Sequence, residues 1–347
     1  MKYLFITILV SILFVSCSKK TGNTQLDQKN KFAVDTAGIK TSPVSNPNET
    51  FNLTYKFGKD KHYQYRLSSF TNEEQTTKMD SSVTQKINRS VIYIMDASQV
   101  NEEKDGAKEL ECEITSIKFN QNVNGNELKF VSGSKMDSAQ IAQYTEFYAL
   151  LNSPFGVRLG SNGGVLEIFK VDKIIDKYTN ARGTKVTLTP QQKEQLKSRL
   201  IEGILKPIVA QVFREMPQKS LSKDSTWNVI QPPAQYLVFK IDNADKYKID
   251  EIGKYNNDKL AVIDAGLQST IEGKTDLVQN KVTYHFNKPE TTTSGKIYFN
   301  ITKGCIQKSK INTKLHFRYS MEGMTPQGKK TRTETESLSS SNIVELL

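Results

Sequence analysis

"KELECEITSIKF", residues 108–119, decides the fold class. Leu110, Cys112 and Ile114 alternate with Glu109, Glu111 and Glu113. A period of two sends successive side chains to opposite faces of a strand, so one face here is apolar and the other acidic. A strand that is wet on one side belongs to an antiparallel sheet, because parallel sheets are covered by helices on both faces.

The same signature recurs on either side. "HYQYRLSSF" sets Tyr63, Tyr65 and Leu67 against His62, Gln64 and Arg66. "VIYIMDA", "YLVFKI", "LAVIDAGL", "VTYHF" and "GKIYFNI" are further strand segments, rich in β-branched and aromatic residues. No regular alternation of strand and helix marks a nucleotide-binding α/β fold.

Two helical patterns interrupt the strands. "SAQIAQYTEFYALL" (Ser138–Leu151) spaces Ile141, Tyr144, Phe147, Tyr148 and Leu151 for one helix face. "TPQQKEQLKSRLIEGILKPIVAQVFREMP", from Thr189, is longer. Thr189 fits an N-cap, Pro190 the first helical position, and Gln192 completes a capping box. Leu196, Leu200, Ile204, Ile208 and Val212 form one apolar row, flanked by Ile201, Leu205, Val209 and Phe213. Pro207 should kink this helix, with Gly203 easing the clash four residues back. The arc must lie on something: a sheet, or the wall of a lipid cavity.

The N-terminus gives an address. Lys2 precedes an apolar run from Tyr3 to Val15, about 13 residues, which fits a secretory leader and is short for a spanning helix. The run ends in Phe14-Val15-Ser16-Cys17, which resembles the bacterial lipobox. The resemblance implies cleavage before Cys17 and acyl chains on that residue, each buried CH₂ adding about 0.8 kcal/mol of membrane affinity. Ser18 in place of an aspartate implies the outer membrane, and Lys19 and Lys20 in place of acidic residues imply the periplasmic side. Residues 17–50 are polar and poor in large apolar groups, as a flexible tether is. About 30 such residues span roughly 30 Å.

The body resembles a family of exported proteins of Bacteroidota, domain of unknown function 6263. "YKFGKDKHYQYRLSS", "FGVRLGSNGGVLEI", "KDSTW" and "GKIYFNITKGCI" carry the likeness, which extends over most of residues 51–346. It implies an exported protein and brings no activity. The two hairpin-like stretches, 155–168 and 295–311, turn at Asn162-Gly163 and Lys303-Gly304 and hint at two related β-rich halves. Asp35-Thr36-Ala37 and Asp137-Ser138-Ala139 resemble O-glycosylation acceptors of the same bacteria.

Chemistry is harder to find. The net charge of +11 could suit nucleic acid, but an exported chain seldom meets any. Lipid headgroups are the better counter-charge, and the lysines are scattered. His62, His285 and His316 fall on polar strand faces far apart in sequence, without metal-ligand spacing. No glycine-flanked serine forms a nucleophile elbow. Asp224, just before Trp227, is the carboxylate to inspect: against an indole its pKa would rise, and in a turn it would simply cap the next strand. Cys112 and Cys305 could pair in an oxidising compartment, or Cys112 could remain a small buried hydrophobe.

The expectation is an α+β chain, predominantly antiparallel β, with strongly twisted sheets, one short helix and one long Pro-kinked helix. The expected parts are a signal peptide (1–16), a lipidated tether (17–50), a β-rich half with the short helix (51–188), a connecting helix (189–216) and a second β-rich half (217–347). The leading function is a non-enzymatic envelope lipoprotein that binds an apolar ligand or lipid between sheet and helix. Leu200, Ile204, Leu205, Ile208 and Val212 would line the groove, without a cofactor, a metal or nucleic acid. A scaffold docking another envelope protein comes second, and a carboxylate-dependent hydrolase last. Radiolabelled palmitate fed to cells is expected to label the native chain and to leave a Cys17→Ser variant unlabelled; equal labelling contradicts the assignment of Cys17.

Overall fold

A computed structural model describes residues 31–46, 49–58, 61–181, 188–326 and 328–347. The expected signal peptide, Cys17 and the tether through residue 30 lie outside the described residues. The first strands are β1 (Ser42–Pro43), β2 (His62–Lys78), β3 (Ser82–Glu102), β4 (Lys108–Val123) and β5 (Asn126–Val131). Helices α1 (Ser138–Gln143) and α2 (Thr145–Leu150), strands β6 (Phe155–Leu159) and β7 (Val165–Phe169), and helix α3 (Asp172–Asn180) follow. The connecting helix is α4 (Pro190–Leu200), a π-helical turn (Ile201–Leu205) and α5 (Lys206–Val212). Next come β8 (Thr226–Ile230), β9 (Ala234–Tyr236), β10 (Phe239–Tyr255), β11 (Asp258–Gly273) and β12 (Asp276–Gln279). The chain ends with β13 (Val282–Phe286), β14 (Glu290–Asn300), β15 (Cys305–Thr325) and β16 (Gly328–Leu346).

All of these strands belong to one 16-stranded sheet, ordered β1-β10-β11-β14-β15-β16-β2-β3-β4-β6-β7, with β8 and β9 also on β10, β5 on β4, and β13, carrying β12, on β15. The ladders are antiparallel, as the alternating faces predict. Strands from before and after the connecting helix meet where β16 pairs with β2, from Thr333 opposite Lys78 to Leu346 opposite Tyr65. The two expected β-rich halves are therefore continuous.

The strands outrun their apolar signal. β2, β3, β15 and β16 have 17, 21, 21 and 19 residues, about 55–70 Å at the usual rise. Apolar alternation marks only part of each. In β2, Tyr65 and Leu67 are buried, whereas Thr71–Lys78 is polar on both faces. Bulges keep the apolar face in phase where the sequence slips. Met95 faces Ile114 and Ile94 faces Ser116, so Thr115 is the extra residue and Ile117 returns to the face of Ile114. Asp250 does the same between Ile249 and Ile252 in β10. "YLVFKI" is not one strand: Leu237 has φ 50 and turns the chain between β9 and β10.

The connecting helix starts as its sequence predicts. Thr189 Oγ1 accepts from the Gln192 amide at 3.3 Å, and Gln192 Oε1 accepts from the Thr189 amide at 2.9 Å. Before Pro207 the helix widens: the Lys206 amide reaches back five residues to the Ile201 carbonyl. The wide turn makes room for the proline ring, which would clash with the Gly203 carbonyl in a regular helix. Leu200, Leu205, Ile208, Val209 and Val212 are buried in one core with Leu67, Met95 and Ile114 from one stretch of the sheet and Ile249, Ile263, Ile297 and Phe299 from the other.

Two extended segments finish the fold. Phe51, Leu53, Tyr55 and Phe57 alternate into the same core. The Tyr55 hydroxyl donates to the Val212 carbonyl at 3.3 Å and accepts from the Arg214 amide at 2.9 Å, so it caps the end of α5. The compact body begins at Val34 rather than at residue 51. Lys308 Nζ lies 2.7 Å from Asp35 Oδ2 and Lys310 Nζ donates to the Thr36 carbonyl at 3.2 Å; Ser42 and Pro43 pair with Lys254 and Gly253. Ion pairs and main-chain bonds hold this strap, so a count of apolar residues misses it.

Cys112 and Cys305 are buried free thiols rather than a disulfide. Burial pushes the Cys305 thiol up to about 11, and such thiols stay inert in the folded chain. Leu205 has no exposed surface, so Leu205→Ala should cost about 2–5 kcal/mol in urea unfolding. Ile204→Ala, at a half-buried position, should cost about 1 kcal/mol or less. Equal losses would contradict the orientation of the helix.

Candidate functional site

The concave floor of the site comes from register. Leu67, Tyr93 and Ile117 stand in one cross-strand row over β2, β3 and β4. Ser69, Val91 and Phe119 form the next row, and Thr71, Arg89 and Gln121 the one after. Residues two apart share a face, so these rows continue the surface on which the connecting helix lies. Each step moves about 6.6 Å along the strands. The floor thus passes from hydrocarbon and phenol beside the helix to hydroxyl, guanidinium and amide beyond it.

Helices make the walls. α1 is capped by Asp137, whose Oδ1 accepts from the Gln140 amide at 2.8 Å while Gln140 Oε1 accepts from the Asp137 amide at 3.1 Å. The helix then breaks at Tyr144, and Thr145 Oγ1 donates to the Ala142 carbonyl at 2.8 Å, which satisfies part of the interrupted ladder. The expected single helix over 138–151 is therefore a pair. The break lets Phe147 approach Phe119 (ring centroids 4.9 Å) and Phe130 (5.3 Å), and Tyr144 approach Phe130 (5.4 Å). Opposite them the connecting helix presents Gly203, Ile204, Pro207 and Ile208. Floor and walls enclose an open cleft of about 730 Å³, within the size range of small-molecule sites.

Polar side chains are interspersed in the lining, Arg89, Gln121, Glu146, Arg199 and Gln211 among them. Arg89 Nε donates to Gln121 Oε1 at 3.1 Å, and among the described residues no carboxylate pairs with Arg89. Arg199 and Glu146 meet at 3.3 Å between the helical walls, both well exposed, so the pair holds the walls weakly. Gln211 Nε2 donates to the Pro207 carbonyl at 3.2 Å, while its buried Oε1 has no hydrogen-bond partner. Burial raises the Tyr93 phenol above its ordinary value.

Of the five residues expected to line a groove, Ile204 and Ile208 border this cleft. Leu200, Leu205 and Val212 are in the solid core between helix and sheet. Asp224 and Trp227 lie elsewhere. Asp224 occupies a turn with φ 65, and Lys248 at 2.7 Å holds its carboxyl below the usual range, the opposite of an acid raised by an indole. Trp227 stacks on Tyr247 at 5.1 Å. The three histidines are exposed; His285 contacts Asp276 at 2.6 Å and His316 contacts Ser337 at 3.0 Å. Among the described residues, no group of three histidine, cysteine or acidic side chains could hold a metal ion, and no helix is long and apolar enough to cross a membrane.

Sequence reasoning missed Arg89, Gln121 and the aromatic lining. Tyr93, Phe119 and Phe147 each sit in a segment that periodicity identifies, but periodicity does not say which segments become neighbours.

The chain matches a family described as "Family of unknown function (DUF6263)" over residues 105–306, more than half its length. No curated protein matches it. Among solved structures, one titled "Lipid-protein interactions in lipovitellin" aligns with 82% of this chain and 25% of its own at 12% identity and a TM-score of 0.36. The chain thus spans about a quarter of that protein. A Salmonella typhi OmpF complex with daunomycin aligns with 80% of this chain and 97% of its own at 7% identity and a TM-score of 0.18. The outer membrane protein opdK of Pseudomonas aeruginosa aligns with 81% and 98% at 6% identity and 0.15.

Proposed function

This chain belongs to the DUF6263 family of unknown function, and we propose that it is a lipid-anchored envelope protein that binds an apolar ligand in the cleft between its sheet and its helices. The observation that carries the proposal is the convergence of half-buried Tyr93, Phe119, Tyr144 and Phe147 with Ile204 around about 730 Å³. Half-buried aromatic rings that face one another across an open space retain apolar surface that a ligand can cover. Each square ångström covered contributes about 25 cal/mol, so an acyl chain or another hydrocarbon is the matching occupant. The anchor rests on the leader and on Cys17, whose acyl chains would hold the protein at the outer membrane on the periplasmic side. The role is carriage or sensing of a ligand, without a covalent step.

The cleft's occupant and its lining can be tested together. The mature chain carrying Cys17→Ser is expected to take up a fluorescent long-chain fatty acid saturably. Ile204→Glu, which places a charge in the wall, should weaken uptake about tenfold or more with little change in the unfolding midpoint. Absence of saturable uptake, or uptake indifferent to Ile204→Glu, contradicts the proposal.

A further inference from the structure

The floor of the cleft is graded, and its polar end has a definite charge. Its first cross-strand row is Leu67 and Tyr93, its second Ser69, Val91 and Phe119, and its third Thr71, Arg89 and Gln121. The register thus sets two side-chain steps, about 13 Å, between the hydrocarbon beside the helix and the guanidinium. Among the described residues, Nε of Arg89 is engaged by Gln121 Oε1 at 3.1 Å, and its two terminal nitrogens are left for an acceptor. The amide nitrogen of Gln121, in the same side chain, is a further donor. Glu73, the next residue outward on this face of β2, feels the Arg89 charge, yet no ion pair between them is present. A cation held in orientation by a neutral amide, with no carboxylate on it, complements an anion from outside the chain.

Resting on the apolar-cleft reading above, we infer that the ligand is an amphiphile with an anionic head. Its hydrocarbon lies along Tyr93, Phe119, Phe147 and Ile204, and its carboxylate or phosphodiester sits on Arg89 and Gln121. A neutral lipid of equal chain length would fill the same hydrocarbon end and leave the guanidinium without its counter-charge. The specificity resides in the third row, and the affinity common to all ligands in the first two.

Calorimetry on the mature chain carrying Cys17→Ser separates these contributions. The probes are palmitate, hexadecanol and lysophosphatidylglycerol. Palmitate is expected to bind roughly ten- to a hundredfold more tightly than hexadecanol, as charge-assisted hydrogen bonds confer. Arg89→Gln should bring palmitate down to the hexadecanol affinity and leave hexadecanol unchanged, and Arg89→Lys should restore part of the difference. A stronger response to lysophosphatidylglycerol than to palmitate assigns the head to a phospholipid, and the reverse assigns it to a free fatty acid; either supports the inference. Equal binding of palmitate and hexadecanol, or a preference that survives Arg89→Gln, overturns the anionic head and leaves the apolar cleft standing. Failure of all three probes to bind removes the cleft reading and this inference with it.

Discussion

The fold depends on one constraint: the apolar arc of the connecting helix has to be covered, and the apolar surface that covers it is one end of one face of a long sheet. Leu200, Leu205, Val209 and Val212 reach that surface from the helix, while Leu67, Met95 and Ile114 meet them from one stretch of the sheet and Ile249, Ile263 and Phe299 from the other. Residues far apart in strand order thereby share a single core. The bulges at Thr115 and Asp250 serve the same end, since each keeps apolar residues facing the helix across a slip in the sequence.

The cleft follows from the way the helix fails to cover everything. The π-helical turn ahead of Pro207 leaves Gly203, Ile204 and Pro207 at the edge of the covered area. The break at Tyr144 tilts a second short helix toward the same edge. Both irregularities have a local cause, a proline ring in one case and the Thr145 hydroxyl bonded to carbonyls of the preceding turn in the other. Between them lies apolar floor that neither helix covers. On the opposite face of the sheet the segment from Val34 is tied down by Asp35, Lys308 and the β1 pairing, so this segment joins the body away from the cleft.

Much of this was legible in residues 62–70, 91–97 and 108–119, where alternation gave strands, antiparallel pairing and the apolar face. The capping box at Thr189 and the kink at Pro207 were legible for the same reason: local chemistry dictates them. β16 was not, because "KKTRTETESLSSS" is polar on both faces and carries no period-two contrast. Nor was α3, although Ile174, Ile175 and Tyr178 are buried at helical spacing in a short segment. The site was legible only in part. Ile204 and Ile208 were identified from the helix row, yet that row also includes core residues, and spacing does not separate the two kinds. Arg89 reads in sequence as one more scattered cation; its place in a row with Thr71 and Gln121 is a property of register.

The central claim is that this helix-covered sheet keeps an apolar cleft for a ligand the cell supplies. Native mass spectrometry of the mature Cys17→Ser chain, purified from its own cells without added lipid, tests that claim most directly. The account predicts a non-covalent adduct of one long-chain molecule per protein, released on unfolding and absent from an Ile204→Glu sample. A spectrum showing only the bare polypeptide under conditions that preserve the fold would contradict it.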